Sequence, residues 1–91
     1  MSQVKISQLL ASSPSVAILV YLYDKGQTRH NELEKLISSR GSLSSSLVDL
    51  TNEGLVSREV VTSRPIQSIY SLTDKGADVA KLLVQLQTIL K

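Results

Sequence analysis

Two short amphipathic segments separated by a four-residue turn constrain the fold of this chain more than any other feature of its sequence. The first, TRHNELEKLI, carries apolar residues at helical spacing with charged residues between them. The second, SLSSSLVDLTNE, carries leucines at i, i+4 and i+7 and stops at Gly54, which predicts a helix over residues 42–53. The inward residues are Leu33, Leu36 and Ile37 in the first segment and Leu43, Leu47 and Leu50 in the second. With the turn Ser38–Gly41 between them, the segments predict a helix-turn-helix.

The stretch SPSVAILVYLYDKG predicts a further helix upstream of this pair. Ser13 offers an N-cap hydroxyl, and Pro14 fits the first helical position, where its missing N–H costs nothing. Gly26 is a natural C-terminal stop. The preceding residues 1–12 are weakly patterned and are expected to form a short helix or a loose arm.

Two strands and a final helix are predicted downstream. The segments LVSREVV and QSIYSL are rich in β-branched residues, and the polar turn TSRPIQ joins them as a hairpin. Thr73 then caps the last helix, and Asp74 lies in its first turn, where negative charge suits the helix dipole. The expected fold class is therefore mainly α with a small β-hairpin, in the order α-α-α-β-β-α.

The composition fits one small globular domain over residues 1–91, with 13–72 forming the helix-turn-helix and hairpin and 73–91 the last helix. The chain is 42% hydrophobic but contains only three tyrosines and no Phe or Trp, so its core must be aliphatic. The absence of cysteine excludes disulfides, thiolate zinc sites and thiol redox chemistry. Since no signal peptide or long apolar run is visible, we expect a cytoplasmic protein that does not associate with membranes.

The last helix has two apolar sides, whereas a helix that packs only on its own domain needs one. The smaller strip contains Ala77, Ala80 and Val84. The main stripe, which we predict to form a homodimer interface, contains Val79, Leu82, Leu83, Leu86, Ile89 and Leu90. The alternative is a single wide face that covers only the core.

The serine-rich helix turns short polar side chains outward if its leucines point inward. Ser45 and Val48 then lie opposite the leucines, with Ser42, Ser44 and Asp49 beside them. The second helix of a helix-turn-helix lies in the DNA major groove, where short hydroxyls let the backbone approach and donate to phosphates and base acceptors. Val48 suits a thymine methyl and Asp49 a cytosine amino group. The alternative is a solvated face that happens to be rich in serine.

Arginines flank this helix and lie in the hairpin. One arginine lies in the turn before the serine-rich helix, one lies before the preceding helix, and one lies on the first strand. We predict that these arginines, together with residues at the hairpin tip, contact DNA phosphates on either side of the helix. These predicted contacts are Arg29, Arg40, Arg58, Ser63, Arg64 and Gln67. Basic and acidic side chains are equally numerous between Gly26 and Tyr70, so we expect a monomer to bind DNA weakly and a dimer to be needed.

The motifs RHNELEKLI, LSSSLVDLTNEGLVSREVV and RPIQSIYSLTDKG together resemble the winged helix-turn-helix domain of HxlR/MarR-type bacterial and archaeal transcription regulators. The similarity extends over roughly Ser13–Leu90, most of the chain. It implies a dimeric, sequence-specific DNA-binding protein with residues 42–53 as recognition helix in the major groove. It also implies that residues 62–67 form a wing on the adjacent groove or backbone.

Carried over by position, Ser42, Ser44 and Ser45 would contact DNA from the recognition helix and Arg64 from the wing. Many HxlR-like proteins have a thiol-sensing cysteine near the N-terminus, which this chain lacks. MarR-like proteins usually have additional helices around a ligand pocket, and 91 residues leave little room for them. No small-molecule ligand is therefore expected.

The sequence contains no pattern that predicts catalysis, a cofactor or a metal site. His30 is the only histidine, and neither a G-x-S-x-G turn nor a glycine-rich phosphate loop is present. Two alternatives to a sequence-specific regulator remain. One is a winged helix that binds another protein through its serine face, which the even charge balance favours. The other is a low-specificity chromatin-type DNA binder, against which the absence of lysine clusters counts.

Overall fold

The computed structural model describes residues 13–62 and 66–90 and contains helices and strands in the predicted order, with one additional strand. The elements are α1 (Pro14–Lys25), β1 (Gln27–Arg29), α2 (His30–Leu36), α3 (Arg40–Asn52), β2 (Val56–Val61), β3 (Gln67–Leu72) and α4 (Asp74–Leu90). The mainly helical winged helix-turn-helix fold is thereby confirmed. The predicted N-terminal arm, residues 1–12, and the hairpin tip, residues 63–65, lie outside the described residues.

Helix α1 begins and ends where local sequence predicts. The Ser13 hydroxyl accepts a hydrogen bond from the backbone N–H of Val16 at 3.4 Å, and Pro14 is the first helical residue. At the other end Gly26 adopts a φ of 86°, and its N–H donates to the carbonyl of Leu22 at 2.7 Å. A side chain at that φ would be strained, so glycine is the residue that ends this helix.

Helix α3 starts two residues earlier than predicted. Ser39 is its N-cap, because the Ser39 hydroxyl accepts from the N–H of Ser42 at 3.3 Å and its carbonyl accepts from Leu43 at 2.9 Å. Arg40 and Gly41, which we had placed in the turn, are therefore the first two helical residues. The Arg40 side chain consequently projects from the N-terminal turn of α3 rather than from a loop.

A network of hydrogen bonds joins the end of α3 to the start of α4. Gly54 has a φ of 75°, and the N–H of Leu55 donates to the carbonyl of Leu50 at 3.0 Å, which closes α3 in a Schellman arrangement. Thr73 donates its N–H to Leu55 at 3.1 Å and its hydroxyl to the carbonyl of Gly54 at 2.6 Å. The same hydroxyl accepts from Gly76 at 3.0 Å and so caps α4 as predicted.

The three strands form an antiparallel sheet in the order β1-β3-β2, so the predicted hairpin gains a short edge strand. Tyr70 at the centre of β3 pairs with Thr28 of β1 and with Arg58 of β2. Thr28 and Tyr70 are both buried, so this face of the sheet packs toward the helices. The next residues along each strand, among them Ile69 and Glu59, point to the opposite face.

The core is aliphatic apart from one tyrosine, as the composition requires. Its buried apolar residues are Ile18, Leu19, Leu22, Leu33, Leu43, Leu47, Leu50, Val56, Tyr70 and Ala80. Leu36 was predicted to point inward but is 41% exposed. Leu33 of α2 is buried, and Ile37, the extended residue after the helix, packs against the same core. Leu36 lies about 60° round the helix axis from Leu33 and so points away from that core.

Helix α4 packs some residues of the predicted dimer stripe against the core and leaves others exposed. Ala80 is completely buried, and Val79 and Leu83, which we had assigned to the dimer interface, pack against the chain's own core. Leu82 and Ile89 remain 64% and 76% exposed. Leu86 is half-buried, and the side chain of Leu90 lies outside what the structure describes. Over the described ranges, none of the helices has the length and apolar character needed to span a membrane.

Candidate nucleic-acid interface

The outward face of α3 is open, as the leucine spacing predicts. Ser42, Ser44, Ser45 and Asp49 are exposed, and Val48 is 56% exposed. The described parts of the chain leave these side chains accessible to a partner. The exposed serines place short hydrogen-bond donors on the convex surface of an α-helix, and a DNA major groove is wide enough to admit an α-helix.

A cleft of about 580 Å³ separates α3 from the β2–β3 hairpin. We call it the helix–hairpin cleft. Side chains from five elements and from the residue before β3 meet there, and those outside α2 include Arg29, Ser44, Val48, Arg58, Ile66 and Gln67. His30 and Glu34 of α2 line it as well. The cleft therefore combines cations, hydroxyl and amide groups, and two aliphatic side chains beside the serine face.

Arg58 is held against the hairpin by a neighbouring hydroxyl. Its Nε and Nη2 atoms donate to the hydroxyl oxygen of Ser68 at 3.3 and 3.2 Å. A guanidinium carries five N–H donors, so the remaining ones stay available toward the cleft. This arrangement fixes the direction of the cation and lowers the side-chain entropy that it would lose on binding a phosphate.

The acidic side chains of this region are separated from the cleft, with one exception. Glu32 accepts a hydrogen bond from the hydroxyl of Thr28 at 2.6 Å outside the cleft, and Glu59 lies on the opposite face of the sheet. Glu34 lines the cleft and has carboxylate oxygens 3.7 Å from His30 Nδ1 and 3.8 Å from Arg40 Nε. The lining of the cleft thus contains two arginines and one carboxylate, and Asp49 adds a second carboxylate on the outward face of α3 beside it.

The structure brings some of the predicted DNA-binding residues together and leaves others apart. Those that line the cleft are Arg29, Ser44, Val48, Arg58 and Gln67. Those on the outward face and first turn of α3 beside it are Arg40, Ser42, Ser45 and Asp49. Ser63 and Arg64 lie outside the described residues.

The cleft residues that the sequence prediction did not include are His30, Asn31, Glu34, Leu47, Ile66, Ser68 and Tyr70. Ser68 shares a face of β3 with Tyr70, so the two-residue alternation of the strand, together with its register against β2, would have indicated Ser68. Among the described residues, no cluster of three or more His, Asp or Glu side chains is placed to hold a metal ion.

Comparisons with known proteins agree with this fold. The family described as HxlR-like helix-turn-helix matches residues 9–91. YvaP of Bacillus subtilis (strain 168), an uncharacterized HTH-type transcriptional regulator, is 37% identical over 70 residues, which are 75% of this chain and 65% of that protein. The chain therefore aligns with slightly less than two thirds of that relative's length.

Two solved structures superimpose closely on the chain. ytfH from Salmonella typhimurium, described as a transcriptional regulator, has a TM-score of 0.77 at 29% identity, covering 93% of this chain and 77% of that one. A transcriptional regulator homologue from Pyrococcus horikoshii OT3 has a TM-score of 0.76 at 22% identity, covering 92% and 86%, and so shares the fold. Because the family match extends over nearly all of the sequence, this chain belongs to the HxlR-like helix-turn-helix family.

Proposed function

We propose that this protein is a transcriptional regulator that binds double-stranded DNA as a homodimer, with α3 in the major groove. The observation that carries the proposal is the open, serine-bearing face of α3 beside a cleft that contains Arg58 and Arg29. Hydroxyls on that face can donate to base acceptors while the arginines contact phosphates. Membership of the HxlR-like family supports it.

The hairpin acts as the wing in this proposal. Arg58, oriented by Ser68, faces the strand of DNA that passes between α3 and the hairpin, and Arg40 extends the phosphate contacts from the first turn of α3. We extend the proposal to Ser63 and Arg64, which the sequence predicts to contact the adjacent groove or backbone. The arginines at the cleft give binding that weakens steeply with salt.

The dimer in this proposal uses the exposed side of α4. Leu82 and Ile89 are large aliphatic side chains on a helix whose core contacts are already made by Ala80, Val79 and Leu83. Pairing two copies through them would remove this apolar surface from water. A two-fold dimer would place two α3 helices on half-sites about one helical turn apart.

A charge substitution at the centre of the serine face tests the proposal against a matched control. Ser45→Glu puts a carboxylate where the proposal puts DNA, whereas Ser57→Glu puts one on the opposite face of the sheet, where Ser57 is also exposed. A repulsion of about 1–2 kcal/mol corresponds to roughly tenfold weaker binding. Fluorescence anisotropy with random-sequence duplexes at two salt concentrations measures both variants.

The proposal fails if the wild-type protein does not bind these duplexes even at low salt. That outcome would favour the alternative that the serine face contacts another protein. Equal effects of the two glutamate substitutions would instead show that DNA binds elsewhere on the chain.

A further inference from the structure

The imidazole of His30 lies in the helix–hairpin cleft, beside the arginines that the proposed function assigns to phosphates. His30 is the first residue of α2, lines the cleft, and has a side chain that is 40% exposed. Its ring centroid lies 6.0 Å from that of Tyr70, and the two ring planes are inclined at 43°. Histidine is the side chain whose charge changes between about pH 5 and 8 when nothing perturbs it. The charge of the cleft therefore depends on whether this one ring is protonated.

Charged groups on several elements surround this imidazole. Nδ1 of His30 is 3.7 Å from one carboxylate oxygen of Glu34, and the other carboxylate oxygen lies 3.8 Å from Nε of Arg40. The titratable and charged groups around His30 are Arg29 of β1, Glu34 of α2, Arg58 of β2 and Tyr70 of β3 in the cleft lining, with Arg40 and Asp49 of α3 beside it. Carboxylates favour an imidazolium, whereas guanidiniums disfavour it. Without DNA these influences oppose one another, so a further charge that enters the cleft can decide the protonation of the ring.

A DNA phosphate is a charge of this kind. It would be drawn toward the guanidinium of Arg58, which Ser68 orients, and so toward the imidazole that lines the same cleft. Negative charge within about 4–6 Å favours the protonated form of histidine. Coupling between two binding events is reciprocal, so a phosphate that favours protonation is itself bound more tightly by the protonated protein.

We propose that His30 is a further DNA-binding residue, which contacts the sugar-phosphate backbone as an imidazolium and so links DNA binding to proton uptake. An imidazolium has two N–H donors, and Glu34 lies beside Nδ1, which leaves the Nε2 donor for a phosphate oxygen. This inference rests on the proposed DNA-binding function and adds a form of regulation to it, because the affinity for DNA rises as the pH falls. The alternative is an ordinary pair of His30 and Glu34 on the surface of α2, which would not respond to DNA.

Anisotropy titrations with random-sequence duplexes at constant ionic strength measure this linkage. They extend from about pH 5.5 to about pH 8.5, where histidine titrates and most carboxylates do not. We expect the wild-type protein to bind at least about tenfold more tightly at the acidic end, because a hydrogen bond between two charged groups is worth roughly that factor. His30→Gln should bind at every pH as the wild-type protein does at the basic end. His30→Arg, which carries a permanent cation, should bind at every pH about as tightly as the wild-type protein does at the acidic end.

A histidine moved out of the cleft provides the matched control. The double variant His30→Gln, Gln27→His keeps the amino-acid composition of the chain and places the imidazole at an exposed position of β1 that does not line the cleft. Its affinity should vary with pH no more than that of His30→Gln. If it recovered the wild-type pH dependence, position 30 would have no special role and the inference would be wrong.

Proton NMR gives a second readout that needs no variant. His30 is the only histidine of the chain, so its ring C–H resonances have no counterpart from another residue. They should titrate at a higher pH in the complex with duplex DNA than in the free protein. Equal titration in both states, or a pH dependence of affinity that survives His30→Gln, would overturn the inference and leave the proposed function standing. Failure to bind duplexes at any pH would refute the proposed function itself.

Discussion

Gly76→Ala tests the junction between α3 and α4 more directly than any other single substitution. A Cβ added at Gly76 would lie 1.8 Å from the carbonyl oxygen of Leu55 and 2.7 Å from its carbonyl carbon. The obstacle is backbone, so no side-chain rotation relieves it. The start of α4 has to move away from Leu55, which breaks the bonds from Thr73 to Leu55 and Gly54.

The expected loss follows from three contributions to the free energy of unfolding. Overpacking costs about 1–3 kcal/mol, and the two hydrogen bonds contribute about 1 kcal/mol each. Alanine favours a helix over glycine by about 1 kcal/mol, which offsets part of this. The net destabilisation is about 2–4 kcal/mol, equivalent to a fall in Tm of roughly 10–30 °C for a domain of this size.

Thermal unfolding followed by circular dichroism, at one protein concentration for all variants, measures the effect. Gly41→Ala is the matched control, because Gly41 also lies in the first turn of a helix but an added Cβ there meets no atom within 4 Å. That control should be neutral or stabilised by up to about 1 kcal/mol. If Gly76→Ala melted within a few degrees of the wild-type protein, the close approach of α4 to Leu55 would not be a constraint on the fold.

Three further substitutions test the charges of the cleft and the dimer. Glu34→Gln removes the carboxylate that lines the cleft and should therefore strengthen binding to random-sequence duplexes by roughly two- to tenfold in anisotropy titrations. Glu59→Gln, on the opposite face of the sheet, should increase the affinity less. Ser68→Ala should weaken binding a few fold in the same titrations, because the Arg58 guanidinium loses the hydroxyl that accepts its hydrogen bonds. Unchanged affinity would refute the role of Ser68 in orienting Arg58. Ile89→Lys should shift the protein to monomers in sedimentation velocity while Thr88→Lys, one exposed position away, does not.

Local signals in the sequence were sufficient to place most helix ends and the core leucines. Hydroxyl caps at Ser13 and Thr73 and the glycine at position 26 act through neighbouring backbone groups, so their effects can be read without the fold. The start of α3 was misplaced because glycine at position 41 indicates a turn when it is read locally, and Ser38 and Ser39 both offer an N-cap hydroxyl. Only the bond from the Ser42 N–H to Ser39 distinguishes them.

Features that depend on distant parts of the chain were not predictable in the same way. Strand β1 has three residues and one buried side chain, Thr28, and it exists because it pairs with Tyr70 more than 40 residues later. In the same way, the helix–hairpin cleft joins residues of α2, α3 and the hairpin, so His30 and Ile66 carried no local indication of a shared site.

The orientation of α4 shows why periodicity alone cannot say which apolar side of a helix is buried. The leucine stripe is more apolar than the strip that contains Ala80, yet Ala80 is the residue with no exposure. Gly76 and Ala80 are one helical turn apart, and their small size lets α4 approach the rest of the domain closely. The closest contact therefore runs along the small residues, which leaves Leu82 and Ile89 on the outside.

The same junction connects the proposed dimer interface to the proposed DNA-binding helix. Gly54 and Leu55 follow α3 directly and are bonded to Thr73 at the start of α4, so the direction of α4 is fixed relative to the C-terminal end of α3. In a dimer paired through Leu82 and Ile89, this junction would determine the distance between the two α3 helices. Substitutions at the junction should then alter the preferred spacing of half-sites, whereas substitutions at Val48 should alter the preferred bases. The two kinds of specificity are carried by different residues because they depend on different contacts.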